Sequence, residues 1–463
     1  VVAFPAPDIT PVPARGVDTP SSPLTDNATS AAWYAAVFLT VAASLSTIDR
    51  QVLSLMIGPI RRDLHISDTE MGVIGGLAYT LLYTFCTLPA AWLADRGSRR
   101  AVATGAMFLW SLMTASCGLA QSFVTLFLAR MGVGIGESAL APASYSMLSD
   151  LFPRRSLPIA LGLLNAAPFL GVGLANILGG ALVQHFETAP PVVLPIIGAV
   201  KSWQFTFILL GVPGLLMALV GRFTLKEPAR RGRAVGDGHV PLTLAQVATF
   251  VSGRWRFLTL MFIAYICLSI QGWALFFWVV EFLVRERGVP RAQVGLIYGS
   301  MAMILGFAGA ILSGALAARL LQRGSADTLM KLVIAAVLVL GPLAVVMPMA
   351  PRPWQIFALL APITFFMGCP GGLGTTALQF IAPNELKGRI IALYMLVVNC
   401  ISLTLGPFLG GLISDRIFDG KSLGGSLSLM ALVNYPIAIV CLILCLRPFR
   451  AAVEKAGAWD HTG

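Results

Sequence analysis

The chain has 463 residues, of which 57% are hydrophobic and only 11% charged, with a net charge of +11. Soluble domains carry about 25% charged residues, so this composition cannot cover a globular surface and excludes an ordinary soluble enzyme or binding module. The basic balance does not point to nucleic acid, because in a chain this apolar Lys and Arg act as topology signals.

Residues 1–30 are rich in Pro, Ser, Thr and Ala without apolar periodicity, and are expected to form a disordered cytoplasmic tail. No basic stretch and short apolar core precede the first span, so no cleaved signal peptide is expected. Asn27-Ala28-Thr29 matches a glycosylation acceptor, but a cytoplasmic tail would not be glycosylated.

Twelve apolar segments follow, at roughly 31–57, 70–93, 101–119, 123–149, 157–185, 204–225, 257–284, 293–317, 328–349, 354–380, 388–413 and 426–446. Each suits a membrane-crossing helix, which needs about 20 residues. They fall into an N-terminal six-helix bundle (31–225) and a C-terminal one (257–447), with a basic cytoplasmic linker (226–256) between them and a cytoplasmic tail (448–463) after them. The linker holds Arg230, Arg231 and Arg233, then a short amphipathic helix at 243–251. With both termini inside, the excess of Lys and Arg lies on the cytoplasmic side, as topology requires. The fold expected is an all-α membrane protein of twelve transmembrane helices.

Four charges interrupt the apolar segments: Asp49 and Arg50 in the first, Arg130 and Glu137 in the fourth. Charge at membrane depth is costly and persists where it is paired or lines a polar path. Arg130 and Glu137 share one helix face, about 10 Å apart along the axis. Asp49 and Arg130 fall at similar depth, and Arg50 leans toward Glu137 because helical side chains point toward the amino terminus. The expected pairs are therefore Asp49 with Arg130 and Arg50 with Glu137. Protonation of a carboxylate, Glu137 foremost, would break them, and such a switch suits a proton-coupled transporter.

The two halves are repeats. An offset of 223 residues lays Met71-Gly72-Val73-Ile74 on Val294-Gly295-Leu296-Ile297, and one of 230 lays Pro153 on Pro383. The same offsets carry Asp49 and Arg50 onto Gly272 and Trp273, and Arg130 and Glu137 onto Leu360 and Met367. A central cavity between parallel repeats would thus be charged on one wall and apolar on the other. Candidate lining residues of the apolar wall are Gln271, Trp273, Phe276, Phe366, Met367 and Gln379, with Phe277 and Phe365 nearby.

Residues 91–100, Ala-Trp-Leu-Ala-Asp-Arg-Gly-Ser-Arg-Arg, resemble the loop signature between the second and third spans of the major facilitator superfamily. Ala91 stands where the family has Gly, and Gly97-Ser98 carries the small residue one place early. A degenerate copy lies at 314–319. Asp49-Arg50, the run from Arg130 to Ser138, and Ser149-Asp150-Leu-Phe-Pro153 resemble the Spinster branch more narrowly. That resemblance implies two pseudo-symmetric bundles working by alternating access, and a sphingoid-phosphate-like or lysophospholipid substrate. It also implies a cytoplasmic gate in which Asp95 meets the amino end of the eleventh span. Asp95, Arg96, Arg99, Arg100, Asp150 and Arg154 are the gate candidates, and bonds of Asp95 or Asp150 to Arg99 or Arg154 are expected to close the inner side.

The seven cysteines lie in apolar segments without a metal-binding spacing, and none of the four histidines is central in one. No metal, cofactor or catalytic site is expected. Gly132-Val-Gly134-Ile-Gly136 lies inside a span, where small residues let helices approach, and not after a strand as a dinucleotide site requires. The function expected is proton-coupled movement of an amphiphile across a bacterial inner membrane, by a monomer whose partners are its substrate, protons and the bilayer. The alternative is a proton-driven exporter of drugs or small organic anions.

Overall fold

A computed structural model of the protein describes residues 29–153, 156–188, 192–194, 198–229, 250–322, 327–382 and 384–457. The amino-terminal tail, most of the linker including residues 243–249, and Arg154 lie outside the described residues.

Twelve long helical segments appear where the apolar runs predict them. The first lobe holds Ser30–Leu55, Asp68–Arg96, Arg99–Cys117, Phe123–Leu151, Leu157–His185 and Ser202–Thr224. The second holds Trp255–Arg287, Arg291–Leu321, Thr328–Met349, Pro353–Ile381, Asn384–Ile417 and Leu423–Gly457. We call these the first to twelfth spans. All but the third are long and apolar enough to cross a bilayer on hydropathy alone. The third begins with Arg99 and Arg100 and carries polar side chains inward. Side chains such as Phe85, Leu88, Phe223 and Leu216 point outward and are largely exposed, as a lipid-facing belt requires.

Helix starts follow local chemistry. Thr29, Ser67, Ser98 and Ser122 each accept a backbone N–H from the first turn they precede, the usual role of a short hydroxyl there. Several spans are interrupted. Single π turns at Ile74–Ala78 and Ala302–Gly306 fall in the second and eighth spans, the second helix of each lobe. The fourth span breaks after Glu137 and the tenth after Met367, which the 230-residue offset makes equivalent positions.

Two features differ from the sequence expectation. The last helix continues past Pro448 to Gly457, so most of the expected tail prolongs the twelfth span. A small antiparallel hairpin, Val192–Leu194 with Gly198–Val200, sits between the fifth and sixth spans.

The lobes meet through the second span against the eleventh, the fifth against the eighth, and the first against the seventh. Glycines set the closeness: a Cβ on Gly72 would lie 2.4 Å from the Pro407 carbonyl, and one on Gly295 2.2 Å from that of Asn176. Among the described residues, the hydrogen bonds that cross between lobes gather in the half of the bundle that ends at Asp68. Toward the other end, where Arg99 lies, a Cβ on Gly162 or on Gly314 would meet nothing within 4 Å, and we call this the open end.

Candidate functional site

Three ionisable side chains of the first lobe, the buried Arg130 and Glu137 and the part-buried Arg50, converge on one tyrosine. Tyr79 follows the π turn of the second span directly, and its hydroxyl donates to Glu137 Oε2 at 2.9 Å. Arg50 Nε lies 3.4 Å from the same oxygen, and Arg50 Nη1 donates to the Tyr79 hydroxyl at 3.3 Å. The guanidinium groups of Arg50 and Arg130 stand over the Tyr79 ring, 5.5 and 5.9 Å from its centroid. This is within cation–π range.

Asp49 behaves differently from the expectation. Its carboxylate accepts from Thr114 Oγ1 at 3.3 Å, and Arg130 is not within ion-pair distance. Equal depth along two helices does not make two side chains face each other. Thr114, from the third span, supplies the Asp49 contact, while Arg130 turns to Tyr79. Arg130 is 1% exposed, and among the described residues its Nε and Nη1 have no hydrogen-bond partner, nor has Glu137 Oε1. A guanidinium so buried with bonds unmade is uncommon, since buried polar groups are ordinarily hydrogen-bonded.

The space in front of Arg130 is a small cavity of about 40 Å³ between the lobes. Arg50, Tyr79 and Arg130 line it from the first lobe, and Trp273, Phe276 and Phe277 from the second. Gly75 permits this contact, because a Cβ there would lie 2.2 Å from the Phe277 ring. Trp273 and Phe276 also line a larger cavity of about 310 Å³ within the second lobe, with Met367, Tyr265, Tyr394 and Asn399. Of the six expected lining residues, Trp273, Phe276 and Met367 reach these cavities. Gln271 is buried and donates to the Leu427 carbonyl at 3.3 Å. Phe366 packs edge-on against Phe365, and Gln379 is exposed. Those three do not line either cavity.

In the basic loop at the open end, Arg99 and Arg100 bond to the first lobe and to the segment that directly follows it. Arg99, 2% exposed, pairs with Asp150, and its Nε donates to Glu227 Oε1 at 3.0 Å. Glu227 also accepts from Ser98 Oγ at 2.7 Å and Arg100 N at 2.8 Å, so it caps the third span. Burial pushes its carboxyl up, but the bonds from Ser98, Arg100 and Arg99 outweigh this and hold it below the usual carboxylate range. Asp95 and Arg96 are exposed, and Arg96 stacks on Trp92 at 4.5 Å. The Arg99–Asp150 bond therefore does not join the two lobes as expected. Glu227 escapes a reading of the sequence because it sits in a stretch that looks like linker.

The bonds that do join the lobes are not among those the sequence predicts. Asp68, fully buried, accepts from Arg285 Nη1 and Nη2 at 3.0 and 2.8 Å and from Ser414 Oγ at 2.9 Å, and pairs with Arg61 at 2.8 Å. Asp415 returns the contact, accepting Thr69 N at 2.6 Å. Gly58 N donates to Glu281 Oε2 at 3.2 Å across the lobes. These two residues are equivalent under the 223-residue offset. The Ser67-x-x-Glu70 capping box is the available signal that the second span starts at Asp68.

Known proteins bear on this arrangement. An MFS-type efflux pump of Mycolicibacterium smegmatis is 28% identical over 92% of this chain and 95% of its own length. A probable galactarate/D-glucarate transporter, GudP, of Bacillus subtilis is 24% identical over 93% and 95%. Among solved structures, a bacterial homolog of the human lysosomal transporter Spinster, in an inward-facing and unoccupied conformation, superposes with a TM-score of 0.77 at 23% identity. The match covers 92% of this chain and 98% of that one. Residues 39–407 match the Major Facilitator Superfamily. The chain belongs to that superfamily: it is a multi-pass secondary transporter with the superfamily's two-lobed, alternating-access architecture, and not an enzyme.

Proposed function

We propose that the chain is a proton-coupled transporter of a small organic anion, and that Arg130 with Arg50 receives the anion's carboxylate. The buried Arg130 guanidinium, with two donors unused beside a cavity, carries this reading. Arg cannot lose its proton at physiological pH, and its planar fork matches a carboxylate. Relatives named as sugar-acid transporters and an efflux pump support a small solute over a lipid.

The coupling follows from competition for Arg50. Charged Glu137 holds Arg50. A proton on Glu137 weakens that pair and leaves Arg50 for the substrate's carboxylate. Proton and anion then favour each other's binding, and the two travel together. The termini are cytoplasmic by the basic-residue count, so the open Arg99 end faces the cytoplasm and the conformation is inward-facing. The membrane is the inner one.

The test is uptake of galactarate or glucarate into proteoliposomes with the acidic side outside. Accumulation should depend on the pH gradient, fall at least tenfold in Arg130→Gln, and lose its pH dependence in Glu137→Gln. Wild-type behaviour of both variants would sink the scheme. A second reading, an amphiphile such as a lysophospholipid, draws on the apolar cavity that Trp273 and Phe276 share with the charged one. It gains if lysophospholipid competes and no small anion does.

A further inference from the structure

A cluster of arginines lies far from the central cavity, where the seventh span begins and the twelfth ends. Arg254, Arg256 and Arg447 line a cavity of about 460 Å³ there, with Trp255 and Pro448. Among the described residues, no acidic side chain lines it. The seventh span starts at this point without a side-chain cap, so its first N–H groups add a positive end. The neighbouring acid Asp327 is engaged elsewhere, by Arg450 and Lys331. Burial holds the Arg254 guanidinium below its usual value. Trp255 is 57% exposed, the position an indole takes at a membrane interface.

An apolar track leads to this cavity. Val433, Ile437, Val440 and Leu444 are all exposed and follow one another at helical spacing along the twelfth span. The same face continues to Arg447 and Ala451, which line the cavity.

We propose that this cavity binds the phosphate headgroup of an anionic phospholipid, with its acyl chains lying along Val440 and Leu444. Three guanidinium groups and an uncapped helix start supply donors for phosphate oxygens. The apolar track favours lipid phosphate over free phosphate. Basic pockets between spans suit such headgroups.

The full-length protein would be purified from membranes and its retained phosphatidylglycerol and cardiolipin counted by native mass spectrometry. It would then be returned to nanodiscs of phosphatidylglycerol or phosphatidylcholine. Each of Arg254→Gln, Arg256→Gln and Arg447→Gln should weaken retention about fivefold, from about 1 kcal/mol per basic residue near a charged lipid. Arg222→Gln, on another surface, should change nothing. Wild-type lipid counts in the single variants and in the triple variant would overturn the site. Inorganic phosphate that displaces the lipid at equal concentration would overturn the lipid assignment. If the triple variant does not fold, the single variants decide.

Discussion

Carboxylates in this chain differ by what reaches them. Glu227 is held below the usual range by bonds from Ser98, Arg99 and Arg100. A depressed folded value means stability that is present above the unfolded carboxylate value, near 4.3, and lost as pH falls through the folded one. Glu227→Gln should therefore lower the melting temperature of the solubilised protein at pH 7, by an effect of about 1 kcal/mol typical of a lost helix cap. The difference from wild type should vanish at a pH below the folded value, and a difference independent of pH would refute the assignment. At the central site the number of donors matters in another way. Among the described residues, Tyr79 supplies the hydroxyl that reaches Glu137 Oε2 beside Arg50. We expect Tyr79→Phe to lose coupling between proton and substrate, seen as a flattened pH profile of transport, while the protein still folds.

Elements show where sequence reading succeeds and where it stops. The twelve spans were legible because runs of apolar residues at bilayer length have no other use in such a chain. The four charges inside the spans were legible because charge inside such runs is rare. Facing was not: Asp49 and Arg130 share a depth, yet Thr114 and Tyr79 take their contacts, which no spacing within one helix reveals. The π turns and the break after Glu137 were equally hidden, since helix bonding can shift by one residue without a change in hydropathy. The latch at Asp68 escaped because it is built from the first turn of the second span and the last turns of the seventh and eleventh, where polar residues look like loop. It carries its own prediction. Asp68→Asn removes the charge that gathers Arg61 and Arg285 and should cost the closed arrangement about 2–3 kcal/mol, less than a fully buried pair because both arginines are part-exposed. That moves the population ratio about 30- to 150-fold toward opening at this end. Spin-label distances across the Asp68 end should lengthen, and unchanged distances would remove the latch from the cycle.

The whole molecule must close its open end with surfaces on the same helices. The fifth and eighth spans cross in opposite directions with small residues in register. A Cβ on Gly180 would lie 3.2 Å from Gly295 Cα, one on Gly299 2.8 Å from the Gly173 carbonyl, and one on Gly306 3.4 Å from the Phe169 ring. Each step along one helix answers a step back along the other, and the next glycines in that register are Gly162 and Gly314. A Cβ on either meets nothing within 4 Å. Gly314 lines a cavity of about 310 Å³ with Ala310, Ser313 and Ala317. The second and eleventh spans also run in opposite directions, with Gly411 on Asp68, Gly72 on Pro407 and Gly76 on Thr404, and the same register carries Asp95 toward the helix start at Asn384. Rocking the lobes would therefore seat Gly162 on Gly314 as the Asp68 latch opens. Gly314→Trp should fill that seat. Overpacking costs about 1–3 kcal/mol, here charged to the closed state alone, so transport should drop roughly 5- to 150-fold while substrate binding from the open end persists. Gly105→Trp is the control, because a Cβ at Gly105 also meets open space but lies on an exposed face of the third span, away from the lobe interface. Equal transport by the two variants would show that closure does not use the face of the eighth span around Gly314.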